Sequence, residues 1–188
     1  QLDILKGIAD ALKGQRNVKP PKGWAEVAPK LAKSSKAEVR QLAQQLSLTF
    51  GSKDALAALR KVLQDAKAKP ADRRKALASL IDARDKQLPG VLQGLLNEPA
   101  LRRDALRGLG AVEDAKTAPA ILKIYAKLDT AGRRDALTTL ASRVSYAKAL
   151  MAAVAAGSVK ANTLPADTVR QLRALGQKDI NAQLDKVW

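Results

Sequence analysis

The side chains in this sequence best suited to chemistry are three arginine doublets. They are Arg73-Arg74, Arg102-Arg103 and Arg133-Arg134, offset by 29 and then 31 residues. A guanidinium stays protonated and presents a planar fork of donors. It therefore binds carboxylates, phosphates and sulfates, and it does not serve as a proton-transfer base. The chain has no Cys and no His. That removes thiol chemistry, disulfides, His-based acid–base catalysis, Cys/His zinc sites and covalent haem attachment within these residues. Asp82, Asp85, Asp104 and Asp135 fit caps, ladders and solvated faces better than an acid–base pair. Gly108 and Gly110 follow no strand, so a nucleotide-binding loop is not supported. No nucleophile or base stands beside a group that would orient it. The expectation is a chain that is not an enzyme, with no catalytic, metal or cofactor-binding residues and no cofactor.

Each doublet sits in one repeated phrase: ADRRKALASL, ALRRDALRGL and AGRRDALTTL. Self-similarity near this period marks a stacked helical array. At 3.6 residues per turn, Arg73, Leu77 and Leu80 share a stripe, as do Arg102, Leu106 and Leu109, and Arg133, Leu137 and Leu140. Hydrophobic residues make up 46% but aromatics only 3%. The core must then be Leu, Ala, Val and Ile, which favours packed helices over a β-sandwich. No run of about 18 apolar residues is present, so no transmembrane segment is expected. A net charge of +16 favours anionic partners: nucleic acid, acidic polysaccharide, anionic lipid or an acidic protein domain.

The other elements follow in chain order. Leu2, Leu5, Ile8, Ala9 and Leu12 give a first helix its face. A basic, Pro-containing connection, GQRNVKPPKG, leads to a second helical stretch from Trp24, with Val27 and Leu31 inward. Trp24 is either an end-cap over the first hydrophobic layer or a stacking platform for a base or sugar. Ser35 to Glu38 fits a capping box, and the following AEVRQLAQQLSLTF is a divergent copy of the phrase in which Val39-Arg40 replaces the doublet. Ser52, Asp129, Ser145 and Asp179 are candidate caps, and Pro70 and Pro99 open copies of the phrase. Leu56, Leu59, Val62 and Leu63 form an inward face. The segment Val169-Arg170-Gln171-Leu172 echoes the divergent copy, and a last helix runs through Leu184 to Trp188. The fold class is all-α, with ten to twelve helices in about five antiparallel pairs. Residues 1–188 read as one repeat domain, with capping helices at 1–34, core repeats at 35–157 and an atypical cap at 158–188. The opening at Gln1, with no Met and no signal-peptide core, reads as a segment of something longer.

These pairs resemble HEAT repeats. The segment Arg73-Arg74, Ala76-Leu77, Leu80, then Asp85, Pro89 and Val91-Leu92 follows that family's order. So does Arg102-Arg103, Ala105-Leu106, Leu109, then Asp114, Pro119 and Ile121-Leu122. The resemblance implies a HEAT-like α-solenoid with a right-handed superhelix. A narrower resemblance rests on KPPKGW, the three RRxAL helices, TAPAIL, VRQLRALG and INAQLDKVW. It is to the HEAT-like region of planctomycete-type putative membrane-bound dehydrogenases, which are bacterial multidomain proteins carrying a c-type haem domain. That likeness implies a connecting module in an exported, periplasmic or extracytoplasmic redox protein. Neither haem ligation nor dehydrogenase activity carries over to this chain.

The HEAT likeness also divides the arginines. Arg74, Arg103 and Arg134, with Arg40, match the family's structural Arg, which pairs with an acidic residue of a neighbouring repeat. Asp85, Glu113, Asp114 and Asp129 are available partners. Arg73, Arg102 and Arg133 stand where the family has Val. They either snorkel at the rim or form a basic stripe across successive repeats. Two functions follow. The first is a non-catalytic scaffold, docking or spacer module that meets an acidic protein domain or its neighbours in the parent chain. The alternative is a basic solenoid that binds a polyanion, nucleic acid or acidic polysaccharide. With Trp24, Phe50, Tyr125, Tyr146 and Trp188 as its only aromatics, the chain does not suit a stacking groove.

Overall fold

The computed structural model describes residues 2–16 and 18–187. Among these the chain forms twelve α-helices, one short 3-10 turn at Ala161–Thr163, and no strand. It divides into two compact units, residues 1–85 and 86–188. The boundary falls inside the span read from sequence as core repeats.

The first unit holds α1 (Leu2–Ala11), α2 (Trp24–Leu31), α3 (Ala37–Thr49), α4 (Lys53–Gln64) and α5 (Pro70–Asp82). Helices α1 and α2 both pack on α3, α3 packs on α4, and α4 packs on α5. Leu5, Ala9, Trp24, Val39 and Leu46 are the buried centre of the first layer. Trp24 is an interior side chain: its indole N–H donates to Ser47 Oγ at 3.2 Å, and its ring meets Phe50 edge-on at 5.0 Å. That burial leaves no face for a base or sugar. Val27 and Val62, both expected inside, are 45% and 38% exposed. The expected capping box at Ser35 does not form. Helix α3 starts one residue later, Ser34 Oγ takes the Lys36 N–H, and Glu38 pairs with Lys6 of α1 at 2.7 Å.

The second unit holds α6 (Leu88–Leu95), α7 (Arg102–Ala111), α8 (Thr117–Tyr125), α9 (Thr130–Leu140), α10 (Val144–Ala155), α11 (Ala166–Ala174) and α12 (Lys178–Val187). Helices α6, α8, α10 and α12 pack in succession, and α7 packs on both α6 and α9. Leu92, Leu106, Leu109, Ile121, Leu140 and Leu150 are fully buried between them. Two of the expected caps hold. Ser52 Oγ accepts from Ala55 N–H, and Asp129 Oδ1 accepts from Gly132 N–H at 2.7 Å. A Cβ at Gly132 would stand 2.9 Å from that carboxylate oxygen, so a larger residue there would make the Asp129 side chain shift. Ser145 lies inside α10, which has no side-chain cap. Asp179 lies in the first turn of α12, where its carboxylate accepts from Ile180 N–H at 3.0 Å, and α7 begins at Arg102, three residues after Pro99. Trp188, the expected end of the last helix, lies outside the described residues.

Helix α5 ends in a left-handed turn. Arg84 N–H bonds Ile81 O and Asp85 N–H bonds Leu80 O, with Arg84 at φ 51°. Helices α3 and α10 end the same way on Gly51 and Gly157. A side chain in that conformation carries a steric cost that glycine avoids. Arg84→Gly is therefore expected to stabilise the chain by about 0.5–1 kcal/mol, after allowing for glycine's greater unfolded-state entropy. Urea unfolding followed by circular dichroism measures it. A lower midpoint in the variant would mean that the Arg84 side chain contributes more than the strain costs.

Candidate docking groove and arginine network

The first arginine of each doublet turns back to the carbonyl end of the helix before it. Arg73 Nε donates to Leu63 O at 2.8 Å, Arg102 Nε to Leu96 O at 2.8 Å, and an Arg133 Nη to Ala126 O at 3.0 Å. The last carbonyls of a helix have no partner in their own helix and carry its negative dipole end, so a guanidinium satisfies both needs. The short loops between α4 and α5, α6 and α7, and α8 and α9 bring donor and acceptor together. Arg73 is only 2% exposed. It stands inside its helix pair and not on a solvated stripe. Arg102 is half-buried and Arg133 exposed, the latter lying 5.9 Å from the centre of the Tyr125 ring.

The second arginines behave differently. Arg103 Nε donates to Asp135 at 2.6 Å and an Arg134 Nη to Asp167 at 3.4 Å. The acceptors sit on α9 and α11 themselves, not in the loops. Loop acids pair elsewhere: Asp85 with Arg60 at 2.7 Å and Asp114 with Gln93 at 2.7 Å, in each case with the first helix of the same pair. Arg40 reaches no acid in these bonds; it donates to the Ser34 and Ser35 carbonyls at 2.6 and 2.9 Å, closing the turn after α2. The Asp135 carboxylate holds the Arg103 guanidinium still more firmly protonated. The Asp167 carboxyl lies below its ordinary range because the Thr168 N–H and then Arg134 stabilise its charged form. These pairs are exposed and contribute little individually.

Bonds between successive helix pairs of the second unit keep one step. Arg103 to Asp135, Thr139 Oγ1 to Leu106 O, an Arg143 Nη to Gly110 O, Tyr146 Oη to Val112 O, Asp114 N–H to Tyr146 Oη, Arg134 to Asp167 and Gln171 to Thr138 O all join residues 32 to 34 apart. The arginine ladder is one strand of this lacing.

The first unit carries an open groove of about 780 Å³. Gln41, Gln44 and Gln45 of α3 line one wall and Asp72, Lys75 and Asp82 of α5 the other. Leu59 and Val62 of α4 form the floor, and Gly14 to Arg16 of the basic connection close one end. The connection is pinned there by Val18 N–H to Thr49 O at 3.0 Å. This is where Val62 is exposed: it faces the groove. Sequence reasoning concentrated on charge and missed this site. The usable signal was the amide spacing i, i+3, i+4 in QLAQQL, which places three glutamines on one side of α3.

Comparison of the chain with protein-family profiles, with curated proteins and with solved structures gives no match.

Proposed function

We propose that this chain is a non-catalytic helical-repeat module, a HEAT-like α-solenoid of about five antiparallel helix pairs, that docks or spaces the domains of a larger protein. The constant step of 32 to 34 residues between laced helix pairs carries this reading. Repeat stacks have this property, because each unit contacts its neighbours through equivalent positions. Arg103 and Arg134 are used for that stacking and Arg73, Arg102 and Arg133 close their own helix pairs, so electrostatic attraction to an acidic partner falls to the exposed lysines and the connection. The setting in a bacterial redox protein rests on the likeness of the KPPKGW, RRxAL and INAQLDKVW phrases alone.

The test is to sequence the reading frame on both sides of residues 1–188, produce the adjoining domain separately, and titrate it against this chain at low and high salt. Modest affinity that falls steeply with salt supports docking on an acidic face. Salt-independent binding, or no binding to any adjoining domain, overturns it.

A second reading, polyanion binding, has one observation of its own. Lys13, Arg16, Lys19 and Lys22 are all exposed in a single connection that contains no acid. Under that reading, replacing these four by Gln would abolish retention on a heparin column, whereas replacing Arg73 would not.

A further inference from the structure

The groove of the first unit has a composition that selects among ligands. Its α3 wall presents Gln41, Gln44 and Gln45, each exposed. Among the described residues no side-chain hydrogen bond occupies these three amides. Each offers both a donor and an acceptor. A peptide main chain offers the same pair at every residue.

The α5 wall carries Asp72 and Asp82, exposed carboxylates without an ion-pair partner among the described residues. They stand ten residues apart on one helix, which is about 15 Å. Extended chain covers about 13 Å in four residues, and residues i and i+4 of such a chain point the same way. The floor is aliphatic: Val62 is 38% exposed and Leu59 lies beside it. In an extended segment, side chains that alternate with the rim-facing ones point down to such a floor. The lining contains no aromatic ring, which disfavours a sugar or an unstacked base. Two carboxylates on one wall disfavour a polyanion. Lys75 and Arg16 also line the groove, so it is not a simple cation trap; both signs of charge and three amides suit a main chain with basic side chains.

We propose that this groove binds an extended peptide segment with basic residues at i and i+4 and aliphatic residues between them. The main chain would bond the α3 glutamines, the basic side chains would meet Asp72 and Asp82, and the aliphatic ones would cover Val62 and Leu59. Such a segment is short enough for the groove, whose volume falls in the range of ordinary ligand pockets. The proposal rests on the docking reading only in taking a polypeptide as the ligand. Its test uses an isolated peptide, so failure here leaves the salt-dependent docking of an adjoining domain separately measurable.

The probe is a fluorescein-labelled, C-terminally amidated KLSLK peptide, titrated with the whole chain by fluorescence anisotropy. It should bind, and the acidic counterpart ELSLE should bind at least ~10-fold more weakly. Two exposed ion pairs together correspond to about that factor, so Asp72→Asn with Asp82→Asn should weaken KLSLK ~10-fold. Val62→Arg should abolish binding by filling the floor, with the helical circular dichroism signal unchanged. Gln41→Ala with Gln45→Ala, both exposed, keeps the question answerable if Val62→Arg disturbs folding; it should weaken both peptides alike. Absence of KLSLK binding, equal binding of ELSLE, or indifference to the Asp72 and Asp82 changes overturns the proposal. Displacement of the peptide by a heparin oligosaccharide with no effect of the groove substitutions would also overturn it and assign binding to the basic connection.

Discussion

Arg73→Ala is expected to destabilise the chain by about 3–5 kcal/mol, the largest effect of any single arginine change. The Arg73 side chain is the bulkiest of those that are fully buried. Truncating it leaves a cavity between α4 and α5 and takes the donor from Leu63 O, which lies in the last turn of α4. Both costs apply together, because the site is enclosed and no water replaces the guanidinium at full value. Arg133→Ala removes a bond of the same kind, an Arg133 Nη to Ala126 O at 3.0 Å, but from an exposed side chain. Water restores most of what is lost there, so its cost should stay below about 1 kcal/mol. Urea unfolding of the two variants measures the contrast. Equal effects would mean that burial of Arg73 contributes nothing beyond its hydrogen bond. If Arg73→Ala does not fold, Arg73→Leu, which fills part of the space while still removing the donor, should give an intermediate loss.

Tyr146→Ala is the second large effect, at about 3–5 kcal/mol. Tyr146 is 1% exposed in α10. Its hydroxyl accepts from Asp114 N–H at 2.9 Å and donates to Val112 O at 3.1 Å. One side chain thus satisfies one N–H and one C=O of the connection between α7 and α8. Tyr146→Phe keeps the ring and removes only those bonds, for which about 1–3 kcal/mol is expected. The difference between the two variants separates packing from hydrogen bonding. A local reading is also available: Asp114 amide exchange should accelerate in Tyr146→Phe more than amide exchange within α8. Uniform acceleration would mean that the hydroxyl acts only on global stability.

Several features were legible in the sequence because they are local. The RRxAL phrases form helices with the expected Ala and Leu faces, since a 3.6-residue period is a property of the segment itself. Ser52 and Asp129 cap their helices because donor and acceptor lie within three residues. Pro70 opens α5 where its missing N–H costs nothing.

Other features depended on what the segment meets. The Ser35–Glu38 pattern satisfied the local rule for a capping box, yet Glu38 pairs with Lys6 of α1, 32 residues upstream. Asp85 and Asp114 were plausible rungs for the second arginines, but the first helix of each pair reaches them. Which arginine of a doublet turns inward could not be read from spacing, because one residue rotates a helix by about 100° and both positions border the apolar stripe.

The amino-acid sequence by itself determined an all-helical chain with repeated amphipathic units, since helix period, capping and composition act over a few residues. Only the tertiary structure decided that Arg73 is interior, that Arg103 and Arg134 reach Asp135 and Asp167, and that α3, α4 and α5 leave Val62 uncovered beneath three unoccupied glutamines. Those outcomes are set by the distance and rotation between helices far apart in sequence, which come from packing of whole faces and not from any one residue's preference.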